Sequence, residues 1–201
     1  MKHYKKTAKH ARGETLLEFA VVVALMAILA VSATPMFSRL MYEGHKSKTM
    51  SEIDKMIVIG NSFYQEKAES EGRGSLPGQQ NNFTIAVGDY TSEASVMADL
   101  EVFDSYEYEN ASKWRSLFGL NNADAGIPYD LQQASGVQEV AEGIAEWNAL
   151  FNEHALRSPF QDGHYIYAVI PGSGSGKNAV APVLFIADLE NPSTYHKRLQ
   201  P

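Results

Sequence analysis

The sequence predicts an α+β fold, in which one long N-terminal helix packs on a small antiparallel β-sheet. The first observation is an N-terminal third that is apolar and then amphipathic with a helical period. The second is a C-terminal third with two runs of β-branched and aromatic residues, separated by a turn-rich stretch. With 201 residues, 44% of them hydrophobic, the chain has room for one packed domain and an accessory element.

Charge is divided unevenly along the chain. Residues 1–13 carry five basic side chains and no acid, whereas the chain after Gly13 holds 12 basic and 24 acidic residues, a net charge of −12. An acidic body repels phosphate backbones, so nucleic acid is not expected as a partner. The chain has no cysteine, which excludes disulfides, zinc–thiolate sites and a thiol nucleophile.

Residues 19–38 form 20 consecutive positions without a charge, and a helix of that length spans the roughly 30 Å hydrocarbon core of a bilayer. Basic residues precede this run, and acidic residues dominate the chain after it. The N-terminus is therefore expected in the cytoplasm and the body outside the membrane. A cleaved secretory signal peptide is the ordinary alternative, but its apolar region usually has only about 7 to 15 residues.

The segment Arg12-Gly13-Glu14-Thr15-Leu16-Leu17-Glu18-Phe19, followed by the apolar run, resembles the class III signal of type IV pilins and type II secretion pseudopilins. The resemblance covers roughly residues 8–70. It implies that a prepilin peptidase cuts between Gly13 and Glu14 and leaves the apolar helix on the mature chain. Glu14 stands where the family usually has Phe, and N-methylation of the new amino terminus is part of the same implication.

The resemblance assigns Glu18 and Phe19 to subunit assembly, because Glu18 falls where the family keeps its glutamate. A carboxylate inside a bilayer costs about 2.5 to 3.5 kcal/mol on insertion scales, so it is expected to find a partner. The α-amino group that cleavage creates on a neighbouring subunit is such a partner. Glu14 lies one helical turn from Glu18, where like charges repel. Pro35 falls where many family members carry proline and predicts a helix kink or local melting.

By this resemblance the chain is a structural filament subunit, held first in the bacterial inner membrane and then extracted into an extracellular or periplasmic filament. The implied partners are copies of itself, minor pilins, the prepilin peptidase, the inner-membrane assembly platform and, before assembly, the lipid bilayer. Glu18-Phe19 also resembles the tight-adherence branch of the superfamily, but Pro35 and the long amphipathic continuation favour the pilin and pseudopilin branch. A different class remains open: a secreted or membrane-anchored binding protein with an ordinary signal peptide or signal anchor, starting near Thr34.

Four segments are expected: a leader peptide at 1–13, a transmembrane and assembly helix at 14–38, its amphipathic continuation at 39–71 and a globular α+β head at 72–201. The helix is expected to begin near Thr15, to be interrupted around Pro35 or Gly44, and to stop before a glycine-rich loop. The continuation has an apolar stripe and a polar face. The stripe holds Met50, Ile53, Met56, Ile57, Gly60, Phe63 and Tyr64, and the polar face holds Lys48, Glu52, Lys55, Glu66 and Lys67.

In the head, residues 83–90 predict a strand and residues 136–156 a second amphipathic helix. Residues 164–170 and 180–189 predict an antiparallel hairpin. Residues 171–178 (PGSGSGKN) connect its strands; they are not a phosphate-binding loop, because that motif needs Ser or Thr after the lysine and a following helix.

The acidic segment 93–109 is interpreted as a solvated face, with a calcium site as the alternative. Asn122 begins a stretch that resembles an EF-hand loop, but its glycine, Gly126, comes one position early and Gln133 stands where the closing Glu belongs. His154 and His164 have no partners at a diagnostic catalytic spacing. Neither a cofactor nor an enzymatic activity is expected.

Overall fold

The structure is a computed structural model that describes residues 11–103, 108–125, 136–160 and 163–201. Residues 1–10 of the expected leader, residues 104–107 of the acidic segment, Gly126, Gln133 and Asp162, the acid near His164 in the sequence, lie outside these ranges. The described elements are, in chain order, α1 (Ala11–Glu71), α2 (Glu93–Val102), α3 (Tyr108–Ala111), β1 (Arg115–Ser116), α4 (Ala141–Leu150), β2 (Tyr165–Ile170), a 3-10 turn (Gly176–Asn178), β3 (Val183–Asp188) and β4 (His196–Leu199).

The four strands form one antiparallel sheet in the order β1-β2-β3-β4. β2 and β3 are the central hairpin, with Tyr165 opposite Asp188 and Ile170 opposite Val183, so the predicted hairpin is confirmed. The second part of α1 packs on this sheet. The predicted α+β, pilin-like arrangement of a long N-terminal helix on a small antiparallel sheet is confirmed.

The chain divides into two compact units, Met1–Gly44 and His45–Pro201. α1 supplies the described helix of the first unit and the first helix of the second. We refer to residues 15–44 as the apolar half of α1 and to residues 45–71 as its head half.

The head half of α1 packs against one face of the sheet, together with α4. Ile53 and Met56 of α1 and Trp147 of α4 are fully buried there, and Gly60 lets the elements approach closely. A Cβ added to Gly60 would lie 2.9 Å from Leu184 Cδ2 and 3.3 Å from the Trp147 ring. The apolar stripe predicted along this half is therefore confirmed as its core-facing side.

The other face of the sheet is covered as well, which corrects the interpretation of segment 93–109 as a solvated face. α2 begins after the Ser92 cap, whose hydroxyl accepts from Ser95 N at 3.2 Å, and it buries Val96 and Leu100. Phe103 follows, fully buried. Three apolar residues at positions i, i+4 and i+7 thus lie on the buried side. Of the acids, Glu101 is exposed, whereas Glu93 and Asp99 are partly buried and pair with Arg198 and Lys113.

Glu71 ends α1 where predicted, before Gly72, whose φ of +73° favours glycine. The predicted interruption is wrong, because α1 is continuous through Pro35 and Gly44. One proline removes one backbone hydrogen-bond donor, and one glycine lowers helix stability by about 1 kcal/mol relative to alanine. A helix of 61 residues tolerates both.

Two further predictions need correction. Residues 83–90 are not a strand: only Val87 pairs, with Val169, and Gly88 turns the chain at a φ of +90°. The helix predicted over 136–156 covers only Ala141–Leu150, because Gln138 instead bridges to Arg115 in extended conformation. β4 was not predicted; its sequence, HKRL, has no apolar alternation.

Candidate functional site: the apolar half of α1

The apolar half of α1 has large hydrophobic side chains on every side of the helix, and all of them are exposed. Successive residues of an α-helix are about 100° apart, so the unbroken run from Phe19 to Val31 covers its whole circumference. The exposed side chains include Leu16, Leu17, Phe19, Val21, Val22, Val23, Leu25, Met26, Ile28, Leu29 and Val31. A helix with this surface needs an apolar environment on all sides, either lipid or other helices.

The helix is long and apolar enough to cross a membrane. Its most apolar window has a mean hydropathy of 2.5, and none of that window is buried within the chain. This criterion rests on length and composition alone.

Glu18 lies at the start of this surface, one residue before Phe19, and both side chains are exposed. Within the described ranges, Glu18 forms no hydrogen bond and no ion pair. Gly13 and Glu14 belong to the first turn of α1 by their backbone. The residues assigned to cleavage and to assembly thus follow one another on one continuous helix, at the start of the apolar surface.

Three hydroxyl groups within the apolar half are satisfied locally. Ser32 Oγ donates to Leu29 O at 2.9 Å, Thr34 Oγ1 to Ala30 O at 2.8 Å and Ser38 Oγ to Thr34 O at 3.2 Å. Hydroxyls bonded in this way can lie in an apolar environment without a large desolvation cost. Pro35 has no N–H to donate to the carbonyl four residues earlier, that of Val31.

The head half of α1 is fixed to the sheet by a buried acid that the sequence had placed on the polar face. Glu52 is only 8% exposed, and its Oε2 accepts a hydrogen bond of 2.5 Å from the Tyr165 hydroxyl on β2. Burial, followed by the hydrogen bond to Glu52, raises the pKa of Tyr165 far above its usual range, so the hydroxyl stays protonated and donates. Lys48 lies 3.6 Å from the other oxygen of Glu52. Only the folded position of β2 reveals this partner, so no local sequence signal could have found it.

A serine–histidine pair exists in the head, but it is closed to substrates. Ser116 Oγ lies 2.8 Å from His164 Nε2, and both residues are buried. The third partner is a backbone carbonyl, Ala125 O, 3.1 Å from His164 Nδ1. Since a carbonyl only accepts, Nδ1 carries the proton and Nε2 accepts from the serine hydroxyl. Burial lowers the pKa of His164 to about 4, which keeps the ring neutral. His154, by contrast, is exposed and bonds to Asn152 O.

In the described ranges, no group of three or more histidine, aspartate or glutamate side chains is arranged to hold a metal ion. Asn122 Oδ1 instead accepts the backbone N–H of Asp124 at 3.1 Å in a local turn. Asp188 is 1% exposed; its Oδ1 accepts the N–H groups of Glu190 and Asn191, and burial raises its pKa to about 6.

Comparison with known proteins gives no match of any kind: no family model matches the chain, and no curated protein or solved structure is similar to it.

Proposed function

We propose that this chain is a structural subunit of a filament of the type IV pilus or type II secretion pseudopilus kind. A prepilin peptidase would cut it after Gly13, and α1 would carry it first in the inner membrane and then in the filament. Lysine and arginine ahead of the span favour an N-terminus in the cytoplasm and a head outside.

The observation that carries this proposal is the apolar half of α1, which is hydrophobic on all sides and whose large hydrophobic side chains are exposed. A bilayer covers such a surface before assembly, and the same helices of neighbouring copies cover it afterwards. The head half of the same helix is already covered by its own sheet. One helix therefore has a part for assembly and a part for carrying the head.

Glu18 supplies the register in this proposal. The mature chain would begin at Glu14, with an α-amino group that is positive below a pKa of about 7.7 to 8.0. Pairing this amine with Glu18 of the adjacent subunit neutralises both charges in apolar surroundings, so the correct stagger is favoured over others. Glu14 introduces a competing carboxylate four residues away, which weakens the pairing.

Cleavage is the first test. Co-expression with a prepilin peptidase should give a mature chain of 188 residues that starts at Glu14, 13 fewer than the 201 of the full chain; intact mass and N-terminal sequencing measure this. Gly13→Ala should leave the chain uncut, and Ala11→Ser serves as the neighbouring control that is still cut. A mature chain that begins near Thr34 would instead show an ordinary signal peptide and overturn the proposal.

Assembly is the second test. Glu18→Ala should be processed normally but should not enter filaments sheared from the cell surface and detected by immunoblot. Glu43→Ala is the matched control, because Glu43 is an exposed glutamate on the same helix beyond the apolar run. Filaments of Glu18→Ala at wild-type abundance would contradict the role of this carboxylate.

A further inference from the structure

The side of α2 that faces away from the sheet is apolar as well as exposed. In the described part of the head, four large hydrophobic side chains are exposed, and this ten-residue helix supplies two of them, Met97 and Val102. Ala94 and Ala98 lie on the same outward side. We call these four residues, together with Glu101, the outer face of α2. Since the opposite side already packs on the sheet, α2 is apolar on two sides and covered on only one.

One unpaired carboxylate lies among these apolar side chains. Glu101 follows Met97 by four residues and Ala98 by three, so all three lie within one turn on the same side of the helix. Glu101 is exposed and forms no ion pair with the residues that the structure describes, whereas the two other acids of α2 both pair with basic residues. A partner that fits this face therefore needs apolar side chains around one cation.

The same chain has such a surface on α1, directly after the uncharged run 19–38. Arg39 shares one side of the helix with Met36, three residues earlier, and Leu40, the next residue. All three are exposed, and among the described residues Arg39 forms no ion pair, not even with Glu43 one turn further on.

The two regions also carry opposite net charges. Residues 39–48 hold three basic residues and one acid, a net charge of +2. Residues 49–201 hold nine basic and 21 acidic residues, a net charge of −12. Attraction between copies therefore favours the start of the charged part of α1 against the head. An anionic lipid surface does not suit the outer face of α2, because Glu101 and the acidic head repel it.

We propose that the outer face of α2 binds residues 36–40 of α1 from a neighbouring copy of this chain. Arg39 of one copy donates to Glu101 of the other, and Met36 and Leu40 cover the apolar side chains around that carboxylate. The contact rests on the proposed function, because a filament brings α1 of one copy beside the head of the next. Two such short helix faces bury less than the roughly 1,000 Å² that an independent interface needs. In a filament the apolar halves of α1 keep the copies at a high effective concentration, so a small contact suffices.

Introduced cysteines test the contact directly, because the chain has none of its own. Full-length chains with both Leu40→Cys and Ala98→Cys, assembled into filaments and then oxidised, should give a ladder of dimers and longer oligomers on a non-reducing gel. Each cysteine alone can give at most a dimer. Leu40→Cys with Val180→Cys is the matched control, since Val180 is an exposed apolar residue of the head outside α2. Its cross-linked fraction should be at least about fivefold lower, because a disulfide needs Cα atoms within about 7 Å.

Charge reversal tests the ion pair within the same contact. Glu101→Arg and Arg39→Glu, each added alone to the double-cysteine chain, should lower the cross-linked fraction at least about fivefold, because like charges then face each other. The two reversals together restore opposite charges and should recover most of the ladder. Glu66→Arg is the matched control: it makes the same change at an exposed acid on the head half of α1 and should alter the fraction less than about twofold.

The outcomes separate this contact from the proposed function. Filaments of normal abundance without the ladder would overturn the contact and leave the proposed function intact, as would a ladder that the paired reversal does not recover. An equal ladder from the Val180→Cys control would show random collision between copies and would also overturn the contact. If the chain without cysteines forms no filaments, the proposed function is refuted and the contact with it.

Discussion

The two halves of α1 have the same backbone conformation, yet they occupy opposite environments. Leu25, in the apolar half, is 55% exposed, whereas Met56, in the head half, is fully buried. The difference lies in both the number and the arrangement of the apolar residues. They surround the first half but form a stripe on the second, with polar residues between the stripe's repeats. Helix periodicity thus indicates how many sides of a helix need a partner.

Of the substitutions that test this comparison, Met56→Lys should have the largest effect on the stability of the head. A lysine at this position would bury an unpaired charge in the core, which costs more than about 4 kcal/mol and should unfold the head. Urea unfolding of the full chain in detergent, followed by tryptophan fluorescence, measures the loss. The control is Val58→Lys, two residues along the same helix at a side chain that is 63% exposed. It should change the free energy of unfolding by no more than about 0.5 kcal/mol. Equal effects of the two variants would contradict the assignment of the two faces.

Leu25→Lys should leave the stability of the head unchanged and should impair membrane insertion instead. The head should unfold at the wild-type urea concentration, because Leu25 has no contact to lose in the core. Membrane insertion should become less favourable by about 3 to 4 kcal/mol, the difference between leucine and lysine at the centre of a span. Insertion measured in a translocation assay, beside head unfolding of the same variant, separates the two effects. A lowered head stability with normal insertion would refute the environment inferred for the apolar half.

The pH dependence of stability should be located in the head. The folded-state pKa of His164 is lowered by burial to about 4 from 6.5, so its contribution is fully present above pH 6.5 and is lost as the pH falls through 4. The expected loss is about 3 kcal/mol, since one pKa unit corresponds to about 1.36 kcal/mol. Asp188 acts in the opposite direction, because its pKa is raised by burial to about 6 from 3.8. Its contribution is fully present below pH 3.8 and is lost as the pH rises through 6.

A pair of variants isolates the histidine in this prediction. The free energy of unfolding of the wild type, minus that of His164→Gln, should shrink by about 3 kcal/mol between pH 6.5 and pH 4. The exposed His154→Gln should follow the wild-type curve. If the difference in free energy of unfolding between wild type and His164→Gln is the same at every pH, the assignment of His164 as a buried neutral histidine is wrong.

The smallest expected change in stability comes from substituting two glycines of α1. Gly60→Val should destabilise the head by about 1 to 3 kcal/mol, because its side chain would overlap Leu184 and the Trp147 ring. Gly44→Ala should not lower the stability, because an added Cβ meets nothing within 4 Å and alanine favours a helix by about 1 kcal/mol over glycine. Urea midpoints of both variants test this. Tolerance of valine at residue 60 would mean that the helix packs less closely on the sheet.

Sequence periodicity was sufficient to predict the elements whose buried residues lie within one continuous segment of the chain. The stripe on the head half of α1, its end at Glu71 and the hairpin of β2 and β3 were all predicted. That hairpin is apolar along its whole length because helices cover both faces of the sheet, and such runs are easily recognised. The same periodicity was present in α2, at Val96, Leu100 and Phe103, but the acids between these residues led to the wrong interpretation.

Contacts between distant segments were not predictable. Glu52 looks like a solvated helix residue until the Tyr165 hydroxyl of β2 is placed beside it, 113 residues along the chain. The pair of Ser116 and His164 joins residues 48 apart. β4 was missed because its lysine and arginine suit an edge strand whose charges pair with other elements. Lys197 pairs with Asp54 of α1 and Arg198 with Glu93 of α2.

Pro35 gives the apolar half of α1 a natural spectroscopic reporter. Because proline has no N–H, the Val31 carbonyl four residues earlier lacks its usual helical donor, while the neighbouring Ala30 carbonyl accepts the Thr34 hydroxyl at 2.8 Å. An isotope-labelled carbonyl at Val31 would absorb in the infrared at a frequency set by whatever donor reaches it. It would therefore distinguish dry lipid, penetrating water and a neighbouring subunit's hydroxyl at a single peptide bond.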